Sequence, residues 1–348
     1  MMNYREVDGL KYIMETKEHS GSAGEFPSIL PTGASSFSDV FNNVERYMNE
    51  NIHKHVVAGA AGAGDGILND HGPGHIAMVE ERAYQLLGNK AEELKGYEIL
   101  ILLLSIHFHD VGNVFGRTAH EEKIGDVFDA LGERFPFDST LQRIITDIAM
   151  SHGGNRDGDK DTLAYVNEKE YIDGIPIRAR IIASILRFAD EIADDKNRAS
   201  SLLLAMGTIP RENRVFHEYS KCLEPPVIAG DTIILNYNIN SEFVHNKITK
   251  LDSEVYLYDE ILSRVQKCLC ELDYCKRYSD GFIRVSALSV TINVLSHNKR
   301  RVVFKDSFKV RLTGYPDKSR FDPISCSNPH IQYEDGDALS RNIDRSKL

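Results

Sequence analysis

The chain has 348 residues, 42% of them hydrophobic and 27% charged, with a formal net charge of −11. These are globular proportions that exclude extensive disorder, and the length leaves room for a large core and a second domain. The acidic balance disfavours a long DNA or RNA partner, whose affinity would come from Lys and Arg neutralising phosphates. A small phosphorylated ligand stays compatible, because bound divalent cations invert the local charge of a carboxylate-rich site.

No membrane association is expected. The longest apolar run, Ile99 to Ile106, is short of the roughly 20 residues that cross a bilayer, and the opening MMNYREVDGLKY lacks a signal-peptide core. Five cysteines, with Cys268, Cys270 and Cys275 close together, suit reduced thiols in a cytoplasmic setting better than a disulfide framework.

In chain order, residues 1–36 carry Gly, Ser and Pro punctuation and read as a loop-rich arm before a first helix near Phe37 to Asn49. GAAGAGDG at 59–66 resembles a phosphate loop but lacks the Lys-Ser/Thr that would follow, so it reads as a mobile connector. Ile76, Val79, Ala83 and Leu86 then recur at helical spacing on a helix opened by His75. Glu92 to Asp110 is apolar all round at its centre, the mark of a buried helix, with His109 and Asp110 at its end.

Leu141, Ile144, Ile145 and Ile148 lead to His152, after which Gly153 and Gly154 stop the helix. Pro176 suits the first turn of another helix, whose stripe of Ile177, Ile181, Ile185 and Phe188 ends at Asp190.

After about Met206 the period changes to two. Ile233 to Ile239, Leu288 to Val294 and Phe304 to Leu312 read as strands, and Val255 to Leu272 as an amphipathic helix between them. Asn298 to Arg300 looks like a hairpin tip. The chain is therefore expected to be mainly α, with an all-helical core at 37–205, an α+β domain of antiparallel sheet plus one long helix at 206–326, and a flexible tail at 327–348.

Any one of these histidines is unremarkable; the set is not. His75, His109 with Asp110, His120, His152 and Asp190 each lie at a helix end or turn of one helical region, and imidazole and carboxylate are the donors that hold Fe, Mn, Zn or Mg. Their order resembles that of the HD (His-Asp) superfamily. The matching strings are GHIAMVEERA, LLLSIHFHDVGN, GRTAHEEKIG, MSHGG and ILRFADEIAD, spanning about residues 65–205.

The resemblance implies a metal-dependent phosphohydrolase in which His75, His109, Asp110 and Asp190 hold a first divalent ion (Mn, Fe, Co or Mg). His120 and His152 would hold a second ion or act on the phosphate, with Asp110 bridging. Catalytic roles are expected for Asp110, His120 and Glu121, the last as general base or as a partner of His120. Arg117 and Arg187 would bind phosphate, with Lys196 and Arg198 as further cations on that face, and Asn113 would orient the site. Gly112 would allow a tight turn after the ligand pair. His71 reads as a turn residue and His107 as a packing residue.

Within this stretch the Lys and the Gly-Tyr-Pro triplet of the cyclic-dinucleotide phosphodiesterases are missing, which counts against that substrate. The nearest resemblance is to HD proteins of bacterial conflict and antiviral defence and to dNTP triphosphohydrolases. It implies hydrolysis of a (deoxy)nucleoside triphosphate, homo-oligomerisation, and regulation by a protein or nucleotide effector. A phosphodiesterase or single-strand nuclease, and a non-catalytic nucleotide-sensing module, are the alternatives.

Overall fold

The computed structural model describes residues 9–31, 33–56, 69, 71–135, 137–153, 155–156, 158–298, 301–313, 323–324, 328 and 330–343. The connector at 59–66, most of the hairpin tip at 298–300 and much of the expected tail lie outside them. The protein is mainly α with a C-terminal α+β part, and it divides into two compact units. One comprises Met1–Asp65, His71–Asp190 and Cys275–Ile283, the other Gly66–Asp70, Glu191–Tyr274 and Arg284–Leu348.

In the first unit, α1 (Leu10–Ser20), α2 (Phe37–Met48), α3 (Pro73–Leu87), α4 (Gly96–Phe108), α5 (Ile124–Leu131), α6 (Ser139–Met150) and α7 (Ala179–Glu191) are the main helices. Every residue of α4 is buried, and α1, α2, α3 and α6 pack around it. Each large aliphatic side chain so buried contributes about 1.5–3 kcal/mol, so Leu102→Ala alone should cost about 2–5 kcal/mol. Among the described residues one segment, Gly96–Phe115, is apolar and long enough to cross a membrane, and its window is 89% buried inside the protein, as a core helix is.

Two local expectations change. The arm at 1–36 contains α1, which buries Leu10, Ile13 and Met14. Its Glu18 carboxylate accepts the Phe37 and Ser38 amides at 2.5 and 3.0 Å, capping α2 from outside, where Ser36 supplies the ordinary N-cap to Asp39. The punctuation that suggested a loop lies after this helix.

Pro176 is not in a helix. It sits in a hairpin of β1 (Glu170–Ile172) and β2 (Ile175–Ile177), opposite Tyr171. The two-residue loop Asp173-Gly174 has positive φ at both positions, 48° and 79°, as the tight hairpin turns that suit twisted strands require.

The second unit carries α8 (Ser201–Met206), α9 (Arg211–Cys222), β3 (Val227–Ala229), β4 (Thr232–Asn240), α10 (Glu242–His245), β5 (Ile248–Lys250), β6 (Ser253–Val255) and all but the last four residues of α11 (Leu257–Tyr278). They are followed by β7 (Ala287–Leu295), β8 (Val302–Arg311) and α12 (Gly336–Asn342). The sheet order is β3-β4-β7-β8. The outer pairs are antiparallel, as expected, but β4 and β7 run parallel over nine paired positions from Thr232–Ala287 to Asn240–Leu295. Parallel neighbours need a crossover connection, and the chain segment holding α11 provides it. The alternation buries Ile233, Leu235, Tyr237 and Ile239 with Leu288, Val290, Ile292 and Val294 on shared faces.

Candidate metal centre

The ends of α3, α4, α6 and α7 deliver the site. His75 lies in the first turn of α3, which Pro73 opens at a position where a missing N–H costs nothing. His109 and Asp110 follow directly on α4. His152 follows α6, and Asp190 is in the last turn of α7. His120 opens a short 3-10 turn behind Ala119, whose backbone is left-handed at φ 51°.

Asp110 stands at the centre, with its two oxygens facing different partners. Oδ2 lies 3.5 Å from His75 Nε2, 3.3 Å from His109 Nε2 and 2.6 Å from His71 Nδ1. Oδ1 lies 3.2 Å from His120 Nε2 and 3.7 Å from His152 Nε2. Asp190 Oδ1 closes the first set, 3.1 Å from His75 Nε2 and 3.7 Å from His109 Nε2. His75, His109, Asp110 and His120 are buried; Asp190 retains some solvent exposure.

Among the described residues, three groups of donors could hold a metal ion: His71, His75 and Asp110; His75, His109 and Asp190; and Asp110, His120 and His152. Within each group the donor atoms lie within 4.8 Å of one another. Bonds of about 2.0–2.2 Å to one ion place its adjacent donors roughly 3–3.5 Å apart, and the carboxylate oxygens stand 3.1–3.7 Å from the Nε2 atoms of His75, His109, His120 and His152. The tautomers fit too. His109 Nδ1 sits 2.7 Å from the Ile106 carbonyl and His152 Nδ1 2.6 Å from that of Ala149. Each Nδ1 therefore carries the proton and donates it, leaving Nε2 as a lone-pair donor toward the cluster. His109 Nε2 is buried with no hydrogen-bond partner, as a metal-ligating nitrogen would be before the ion arrives.

Charge follows from this crowding. Burial works against the ionised carboxylates, yet the surrounding imidazoles hold Asp110 and Asp190 well below the usual carboxylate range. Burial likewise opposes a charged His109, but the two carboxylates lift it to about 10. In the metal-free protein the cluster therefore stores protons, and a bound cation would displace them.

Around this centre, Asn113 donates from Nδ2 to Asp110 Oδ1 at 2.9 Å and orients the carboxylate. Glu121 Oε2 lies 3.1 Å from His120 Nδ1, on the side of the ring away from Asp110, and its pKa falls to about 2 because, against its burial, His120 favours the carboxylate. Arg117 Nη1 is 3.4 Å from His120 Nε2 and 3.8 Å from Asp110 Oδ1, with its side chain 45% exposed.

Gly112 is needed for close approach rather than for an unusual turn: a Cβ there would stand 1.8 Å from the His120 carbonyl oxygen. At Gly153 it would meet the Glu121 side chain at 2.4 Å.

Arg187 takes a different place from the one expected. Its guanidinium is buried and donates to the Gly153 carbonyl at 2.9 Å, the Ser151 carbonyl at 3.3 Å and Thr162 Oγ1 at 2.5 Å. These bonds hold the turn that carries His152. Lys196 pairs with Glu224, and Arg198 donates to the Ala193 carbonyl. His107 packs at 3.1 Å from His53 and 3.3 Å from Glu80, away from the cluster.

Sequence reasoning missed His71 as a neighbour of Asp110. The DHGPGH string, with histidines on both sides of a Gly-Pro-Gly helix start, was the available signal. A cleft of about 1000 Å³ lined by Phe37, Tyr47, Tyr97, Phe135 and others includes none of the cluster's side chains, so the centre is identified by its donors and not by cleft size.

This arrangement defines an HD-type domain whose clustered His and Asp side chains fit a metal-dependent hydrolase. The HD-CE family model matches residues 66–256, just over half of the chain, and the chain belongs to that family. No curated protein and no solved structure matches it significantly. A Gly-Tyr-Pro string does occur, at 314–316, outside the 66–256 match and outside the described residues. The case against cyclic dinucleotides therefore rests on the missing lysine.

Proposed function

We propose that this protein hydrolyses phosphate ester or anhydride bonds in a nucleotide, with (deoxy)nucleoside triphosphates as the leading substrates. The observation that carries the reading is Asp110, whose two oxygens address two separate histidine sets. His75, His109, Asp190 and Asp110 would hold one divalent ion, with His71 beside them; His120, His152 and Asp110 would hold a second. Bound there, such ions supply a water of lowered pKa and neutralise charge on phosphoryl oxygens.

The chain's own groups do the rest. Glu121 keeps the proton of His120 on Nδ1, so Nε2 stays directed at the centre. Asn113 fixes Asp110, and the half-exposed Arg117 offers a planar fork for a phosphate oxygen. On the resemblance to HD proteins of bacterial conflict, we place this nucleotide-consuming output in antiviral defence.

The test is a screen of NTPs, dNTPs, cyclic nucleotides and single-stranded oligonucleotide against the full chain with Mn, Fe, Co and Mg in turn, products identified by mass. Phosphate, pyrophosphate or triphosphate released by the wild type and lost in His109→Ala supports the proposal. Shortened oligonucleotide alone would transfer the site to a nuclease, and tight nucleotide binding without product under any metal would make it a sensor; either result overturns it.

A further inference from the structure

The second unit holds a cleft of about 390 Å³ whose wall includes Arg211, Arg214, Lys247, Asn246, Thr249 and Glu242. Three cations face one carboxylate there, a local excess of positive charge in a chain whose net charge is −11. Glu242 lines the cleft and Arg214 has a carboxylate partner, but among the described residues the ion pairs of this region do not extend to the other two cations. Arg214 reaches Glu218 at 3.5 Å, and Glu242 accepts from the Asn240 amide. Among the described residues, neither Arg211 nor Lys247 has a carboxylate within ion-pair distance. Lys247 instead lies over the Tyr256 ring, 5.0 Å from its centroid, and Arg214 over Phe243 at 6.0 Å.

The backbone adds to the same field. Arg211 is the first residue of the twelve-residue α9, whose N-cap is Pro210, and no side chain caps that end. The positive end of the helix dipole and its first amides therefore lie beside the cationic side chains, an arrangement suited to a multiply charged anion. Two arginines and a lysine differ usefully: the guanidinium forks match phosphate oxygens in pairs, while the ammonium acts as a compact charge. The Thr249 hydroxyl and the neighbouring aromatic rings are the groups that would accompany a nucleoside rather than a bare ion.

We infer that this cleft binds the polyphosphate of a nucleotide-sized ligand, as a site sharing no residue with the His/Asp cluster. It does not depend on hydrolysis at that cluster, and it holds or fails separately. The probes are pyrophosphate, ATP and adenosine, titrated calorimetrically into the full-length protein in EDTA, so that the metal centre is not loaded. His109→Ala serves as a control for binding at that centre.

The expected result is saturable binding of ATP and pyrophosphate that weakens as salt is raised, no binding of adenosine, and unchanged affinity in His109→Ala. Arg211→Glu with Lys247→Glu should weaken ATP at least about tenfold while the metal content of the loaded protein stays at the wild-type value. Arg211→Gln and Lys247→Gln singly, both at exposed positions, keep the test available should the double variant misfold, and each should weaken binding severalfold. Binding of pyrophosphate equal to that of ATP assigns the site to free polyphosphate; much tighter ATP assigns it to a nucleotide. Absence of saturable binding by either, or equal affinity in the wild type and all three charge variants, overturns the inference.

Discussion

Arg187→Met separates a structural from a substrate role for the most deeply buried cation near the centre. The methionine retains most of the apolar stem but removes the guanidinium from the Ser151 and Gly153 carbonyls and Thr162 Oγ1. Thr162 also donates toward both carbonyls, at 2.8 and 3.0 Å, yet its hydroxyl has one hydrogen. One buried carbonyl is therefore left without a donor, at about 1–3 kcal/mol, and the charge-assisted bond is lost besides. A net cost of about 2–4 kcal/mol follows, or a fall in Tm on the order of 5–15 °C.

Urea and thermal unfolding measure this directly, and metal analysis should show weakened occupancy of the set that includes His152. Arg187→Lys, which keeps a donor, should recover part of the stability. A variant with wild-type Tm and metal content but a raised KM would refute the reasoning and return Arg187 to the substrate.

Three further outcomes follow from the geometry. Asp110→Asn offers one oxygen where two sets need one each, so bound metal should drop below the wild-type ratio by elemental analysis, and any hydrolytic rate should fall at least about a hundredfold. Gly112→Ala drives a methyl into the His120 carbonyl at 1.8 Å; the shift it forces should cost about 1–3 kcal/mol or more by urea unfolding and weaken metal binding.

Glu98 is wholly buried and its burial opposes ionisation, but Arg178 holds its pKa below the ordinary value. A depressed carboxyl pKa contributes stability that is present above the unfolded value, near 4.5, and is lost as pH falls through the folded one. Glu98→Gln should thus be less stable than wild type at pH 7, with a gap that narrows below about pH 4.5; a gap that is constant with pH would remove the charge from the explanation.

Most donors of the centre were legible because they sit at helix ends: the apolar periodicity located each helix, His75 opens one, and His109, Asp110, His152 and Asp190 fall at or just past the ends of three others. His71 was not, since it precedes α3 in a turn and carries no periodic signal; only its place beside Asp110 reveals it. The buried contacts of Arg187 were not legible for a related reason. Helical spacing puts it one turn before Asp190, on the same face, but cannot tell a side chain turned toward a solvent-filled site from one turned onto buried carbonyls. In the second unit, alternation identified β4, β7 and β8 but is blind to strand direction. The cue for a parallel pair was the long helical segment between β4 and β7, far more chain than a hairpin uses. The short β1-β2 hairpin hid behind Pro176, although Asp173-Gly174 is a strong turn signal.

Asp190 is contributed by α7, whereas His75 is contributed by α3. During synthesis the earlier histidines leave the ribosome well before this last carboxylate, so the full donor set exists only once α7 has emerged and docked. An ion captured at that moment would clasp helices far apart in the sequence, and its binding energy would add to the folding of the bundle. Metal supply would then govern how much of the newly made chain survives proteolysis, and not only how fast the finished protein works.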